Sequence, residues 1–339
     1  MLLHLLILLL SFAIILAGSE LFTNGVEWAG HRLGVAEAAV GSLMAAVGTA
    51  LPETLIPAVA LLTGRDDPTA HSAVGVGAII GAPLMLSTIA LCVMGLAALG
   101  YRRHRVQVAL RVSPTDVRRD LGFFIPIFMA LLAIGAVPTA SVVRHIVAAG
   151  LLAIYAWYSF VMLRLKRADN VELDHGLYFE QIFRGDRHAP RSIVTSLQVL
   201  AGAIAILVGA IEFVDQIILF SQHAKLNPGV LALILSPLAT ELPEKYNSVV
   251  WIRQRKDHLA MANITGAMVF QSCIPVALGL AYSSWRLSPA EMIGGAVTLA
   301  SSGLLFLNVA DGEVGTPTLM LGGAAYAVFL LALAWLGTF

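Results

Sequence analysis

The chain has 339 residues, 58% of them hydrophobic and only 12% charged, with a mean hydropathy of +0.83. A soluble domain carries roughly twice that charged share, so the composition places the chain in a lipid bilayer. Its 21 basic and 21 acidic residues balance, which excludes nucleic acid as a partner; the two cysteines, Cys92 and Cys273, lie far apart in apolar segments and match no redox or metal motif.

Apolar runs long enough to cross ~30 Å of hydrocarbon fall at 2–22, 35–63, 70–100, 122–138, 141–164, 193–220, 228–252, 259–284, 289–309 and 316–338. These predict an all-α membrane protein of ten transmembrane helices. The first run ends in small residues like a signal peptide, but it lacks a positive leader and has an internal counterpart, so it reads as a membrane helix. The second and third runs are long enough to require tilt or a break. The longest polar connector, RADNVELDHGLYFEQIFRGDRHAPR, reads as a solvated linker. It divides an N-terminal half (1–164) from a C-terminal half (193–339), with 165–192 between them.

Lys and Arg fall unevenly on alternate sides of these runs. One side takes Arg32, the arginines at 102–119, those at 164–191 with Lys166, and Arg253, Arg255 and Lys256; the other takes only Arg65, Arg144, Lys225 and Arg286. By the positive-inside rule the first side is cytoplasmic, which puts both termini outside an inner (cytoplasmic) membrane. Lys245 is left within a span.

Sliding the chain on itself by 191 residues superposes ILAGSELF (15–22) on ILVGAIEF (206–213), and GTALPE (48–53) on ATELPE (239–244). After a loop of different length, GAIIGA (77–82) matches ANITGA (262–267). Five runs per half is an odd number, so the two halves are expected to be inverted-topology repeats. Glu53 and Glu244 then reach a similar depth near the bilayer midplane.

A charge at that depth costs roughly 2.5 to 3.5 kcal/mol, so it must face a cavity, a partner or an ion. The proline before each glutamate frees a backbone carbonyl one turn earlier. Carboxylates, freed carbonyls and the Thr49 and Thr240 hydroxyls are hard ligands suited to Na⁺ or Ca²⁺. The paired carboxylates suit a divalent cation, and when empty the pair should hold a proton. The competing reading is that both glutamates are kink residues satisfied by neighbouring amides.

GTALPE and ATELPE, each followed by a glycine-centred helix (GAIIGAP, ANITGAM), resemble the two alpha-repeats of the sodium/calcium exchanger membrane region family; GSELFTNG is similar to that family's first helix. The resemblance implies ten helices in two inverted repeats of five and alternating-access antiport of inorganic cations, with no cofactor. It makes Glu53 and Glu244 the principal metal-binding glutamates and sets Thr49 and Thr240 beside sodium sites. The chain departs from the family at Ala50 and Glu241, where a serine is usual, at Ala82 and Ala267, and at Leu86, where a carboxamide or carboxylate is usual; Gln271 keeps a carboxamide.

Glu241 would add a third carboxylate one turn from Glu244. Two readings of Lys245 stay open: a counter-cation to Glu241 four residues earlier, or a side chain pointing away. Glu20 reads as a gating or helix-end residue. Glu212 and Asp215, at i and i+3, read as an entry relay or as hydrated helix-end residues. The leading function is a secondary antiporter exchanging Ca²⁺ or a related cation for Na⁺ or H⁺. A proton-coupled monovalent cation antiporter that does not carry Ca²⁺ is the alternative, and a non-transporting membrane binding protein or intramembrane enzyme is the remote one.

Overall fold

The computed structural model describes residues 2–32, 45–64, 67–165, 176–182 and 191–338; at 31–32, 45–50, 163–165 and 181 it describes the backbone alone. The described residues are nearly all helical. Eight helices among them are long and apolar enough to cross a membrane: α1 (Leu2–Arg32), α3 (68–100), α4 (Pro114–Ala136), α5 (Ser141–Leu165), α7 (Ser192–Ala224), α10 (Asp257–Tyr282), α11 (Pro289–Asn308) and α12 (Thr316–Leu336). The chain is therefore a multi-span membrane protein. Shorter elements are α2 (Ala45–Thr63), α6 (Tyr178–Ile182), α8 (Pro228–Thr240) and α9 (Leu242–Arg253). Positions 35–44 of the second expected run lie outside the described residues.

Several expected boundaries change: the first run continues as helix to Arg32, and two further changes have a local cause. The 228–252 run is not one helix: it breaks at Glu241, whose backbone sits at φ −98°, ψ 7°. Pro243 lacks the N–H that would bond the Ala239 carbonyl, and its ring would clash there, so α8 stops and α9 starts with the proline in its first turn. Glu241 therefore lies between helices rather than on a helix face. The fourth run starts eight residues early, because the Ser113 hydroxyl accepts from the Asp116 N–H at 3.3 Å and Pro114 presets the first turn. Its charged first turns had hidden it from a hydropathy reading.

Within α3 a single π turn covers Leu86–Ala90, a distortion that recurs at functional sites. The Ser87 carbonyl there accepts from the Ser301 hydroxyl at 2.5 Å, which ties the turn to α11.

Helix α1 lies along α7, and α3 lies along α8. The second crossing brings backbones together: a Cβ on Gly81 would lie 2.2 Å from the Leu233 carbonyl oxygen and 2.8 Å from the Pro237 ring. Pro237 is the residue whose missing N–H leaves that carbonyl without its helical partner. The GAIIGA motif thus acts as a packing surface. Helix α10 packs against α2, α3, α4, α5 and α9.

At one end of the bundle the loop after α3 forms a two-residue ladder with the α11–α12 turn, pairing Leu110 with Val314 and Arg111 with Glu313. Arg105 there holds Asp257 at the start of α10 through both guanidinium nitrogens, at 2.8 and 2.5 Å, and also bonds the Ile252 carbonyl at 3.0 Å. This clamp fixes where α9 ends and α10 begins.

Candidate cation site

The two LPE motifs are built differently. Pro52 and Glu53 lie inside the continuous α2, and Pro57, four residues on, removes the donor that the Glu53 carbonyl would otherwise find. Leu242, Pro243 and Glu244 form the first turn of α9, where the helix dipole favours a carboxylate. Helix α10 brings Gln271 alongside, and Pro275 likewise frees the Gln271 carbonyl.

These segments converge. The Gln271 side-chain N–H donates to Glu53 Oε2 at 2.7 Å, and the same carboxamide lies beside Glu241. Lys245 Nζ donates to Glu241 Oε2 at 3.2 Å. The charges of Glu244, Glu241 and Lys245 all act on Glu53. Every member is buried: Glu241 and Gln271 are 0% exposed, Glu244 1%, Glu53 5% and Lys245 6%. Tyr326 of α12 is also buried and within Coulombic reach of Glu241.

Glu53 Oε1, Glu241 Oε1 and Gln271 Oε1 are buried without a hydrogen-bond partner among the described residues. A buried acceptor left unsatisfied costs about 1 to 3 kcal/mol. All three are oxygens, the donor type that a hard cation takes.

Of the remaining expected site residues, Thr240 is buried and its hydroxyl donates to the Ser236 carbonyl at 3.3 Å. That commits the proton and leaves oxygen lone pairs available. The Thr49 and Ala50 side chains lie outside the described residues. Lys245 points to Glu241 rather than away, because Glu241 caps α9 and keeps the i,i+4 spacing across the break. Leu86 is buried at the π turn and supplies no ligand.

Glu20, Glu212 and Asp215 are not drawn into the cluster. Glu20 is exposed on α1 and accepts from the Tyr178 hydroxyl of α6 at 2.6 Å. Beside it, Gln198 of α7 bonds Asn24 at 2.8 Å and the Phe179 N–H at 2.8 Å, so the connector's short helix is docked on α1 and α7 rather than wholly solvated. Burial and the Glu20 hydrogen bond push the Tyr178 hydroxyl pKa up. Glu212 and Asp215 are exposed on α7, with His71 close enough to act on Asp215.

The sequence reading missed three supports. Asn263, inside the quoted ANITGA motif, donates to the Glu244 carbonyl at 3.3 Å. Asp120 accepts from Thr265 at 2.7 Å and Tyr158 at 3.0 Å and pairs with Arg119 at 3.2 Å, which anchors α10 to α4 and α5. Tyr326 lay in a run with no other polar signal. For Asn263 a signal existed, an amide within the apolar stretch of α10; Asp120 falls just before the expected fourth run.

The sequence model of the sodium/calcium exchanger protein family matches residues 3–164 and 195–337. An uncharacterized membrane protein of Methanocaldococcus jannaschii is 23% identical over 325 residues, 96% of each chain. A putative antiporter, CaxA of Alkalimonas amylolytica, is 21% identical over 277 residues, covering 80% of this chain and 78% of that one. Among solved structures, the H⁺/Ca²⁺ exchanger CAX superposes with a TM-score of 0.75 at 16% identity, over 98% of this chain and 82% of that one. The sodium-calcium exchanger NCX_Mj, soaked with Na⁺ and Sr²⁺, superposes at 0.60 and 20% identity, over 97% and 98%. Both structural likenesses concern the fold.

Proposed function

This chain belongs to the sodium/calcium exchanger family, and we propose that within it the chain is a secondary antiporter exchanging Ca²⁺ or a related divalent cation for Na⁺ or H⁺. The observation that carries the reading is the cluster of Glu53, Glu241, Glu244 and Gln271, with buried oxygens on Glu53, Glu241 and Gln271 that have no partner among the described residues. In this reading Glu53 and Glu244 ligate the metal, Glu241, Gln271, Thr240 and Thr49 complete the shell, and Glu20, Glu212 and Asp215 act at the ends of the pathway. Ten spans in two inverted repeats, 1–164 and 193–339, with both termini outside the inner membrane, give alternating access around this point.

⁴⁵Ca²⁺ flux into proteoliposomes tests it, with wild type, Glu53→Gln and Glu244→Gln. Loss of flux in both variants is expected; unchanged flux in both sinks the assignment. A second reading, proton-coupled monovalent cation antiport, is favoured by Leu86, which puts an apolar side chain where the other half has Gln271. Transport that follows a pH gradient and ignores Ca²⁺ selects it.

A further inference from the structure

Three features of the cluster have no place in a simple two-glutamate site: a third carboxylate, an ammonium, and a helix break between them. Glu241 is the residue at the break, and Pro243 two residues later frees the Ala239 carbonyl beside it. Glu241 Oε1 and Gln271 Oε1 are buried with no hydrogen-bond partner among the described residues, while Glu241 Oε2 faces Lys245 Nζ at 3.2 Å. Carboxylate, carboxamide and carbonyl oxygens are the hard donors that a small cation such as Na⁺ takes. In this structure the Lys245 ammonium already stands at Glu241 Oε2, and its residue is held one turn away by the Lys245 backbone N–H, which donates to the Glu241 carbonyl at 3.2 Å.

We propose that the Lys245 ammonium is a built-in monovalent cation, holding at Glu241 the place that a free Na⁺ would otherwise take, so that this carboxylate draws no Na⁺ into the transport cycle. With a divalent ion bound and all three carboxylates ionised, their charge set against one ammonium is the charge that ion balances. The site is then divalent-selective without a bound sodium at Glu241, and each cycle carries one monovalent ion fewer than a site whose third carboxylate has no tethered partner. The inference rests on the antiporter reading above.

Equilibrium binding of ²²Na⁺ and ⁴⁵Ca²⁺ to the purified full chain tests it, comparing wild type, Lys245→Met and the double variant Glu241→Gln/Lys245→Met. The expected result is one more Na⁺ per chain in Lys245→Met than in wild type, and a return to the wild-type number in the double variant, which leaves no orphaned buried charge. Equal Na⁺ numbers in wild type and Lys245→Met overturn the proposal. So does an extra Na⁺ that persists in the double variant, or uptake of a proton in place of Na⁺ by Lys245→Met. If Lys245→Met does not fold, Lys245→Gln, which keeps a hydrogen-bond donor without the charge, is judged by the same outcomes. Absence of Ca²⁺ binding to wild type sinks the antiporter reading instead, and the Na⁺ difference between the variants is read independently of it.

Discussion

Replacing Gln271 with methionine keeps the volume and removes both ends of the carboxamide. In the structure one end donates to Glu53 Oε2 at 2.7 Å and the other is a buried, unpartnered oxygen. A hydrogen bond to a charged group is worth about 1.5 to 3 kcal/mol net. If Gln271 positions Glu53 and supplies a ligand oxygen, losing that energy in the bound state weakens divalent binding roughly ten- to hundredfold. Titration calorimetry with Ca²⁺ on purified protein measures the change directly, and Gln271→Glu, which keeps an oxygen ligand but loses the N–H donor to Glu53, separates the two contributions. A folded Gln271→Met protein with wild-type Ca²⁺ affinity refutes the argument, because Glu53 would then need neither the donor nor the neighbouring oxygen.

At the α3–α8 crossing, Gly81→Val would drive a Cβ to 2.2 Å from the Leu233 carbonyl; overpacking of this kind costs about 1 to 3 kcal/mol or more, so the melting temperature of the detergent-solubilised protein should fall, whereas Gly100→Ala, with nothing near its Cβ, should leave it unchanged. In the connector, Arg191 donates to Glu180 from its backbone N–H at 2.7 Å and from its guanidinium at 3.1 Å, and these bonds hold the Glu180 carboxyl below the usual carboxylate range. Its stabilising contribution is complete above the ordinary carboxylate pKa and is lost as pH falls through the lowered one, so Glu180→Gln should flatten the acid limb of local protection at 177–182 in hydrogen exchange. Tyr178→Phe removes the bond to Glu20 and should speed exchange in the same segment at neutral pH without changing Ca²⁺ affinity.

Much of the buried polar cluster was legible because a carboxylate in an apolar run is costly and therefore conspicuous. Glu53, Glu244, Glu241 and Lys245 all announced themselves in that way, as did Gln271 by its place in the duplicated helix. The break at Glu241 was not legible. Both halves spell LPE, and a proline's local effect is the same in each; what differs is whether packing around the helix outweighs it. Helix α2 stays continuous through Pro52 and Pro57, whereas the 228–252 run divides at Pro243. Asp120 was lost for the opposite reason: its neighbours Arg118 and Arg119 ended the apolar run, although α4 continues through all three. A hydropathy window cannot distinguish a charged loop from the charged first turns of a capped helix.

The asymmetry between the two LPE motifs bears on why the Glu241–Lys245 pair exists. A cation in the first turn of a helix stands at the end the dipole disfavours, by about 0.3 to 1 kcal/mol, and Lys245 stands in the first turn of α9. Burying both charges adds a desolvation cost that a pair of packed apolar side chains would not incur. Bundle stability therefore gains little from the pair, and a leucine and a methionine would hold α8 to α9 as well. Alanine stands at the matching position in the first half, so the repeat does not require a charge there. The pair lies beside the oxygens of Glu53 and Gln271 that have no partner among the described residues. On the proposed reading its charges belong to the ion chemistry of that cluster, where the ammonium offsets one of the three carboxylates.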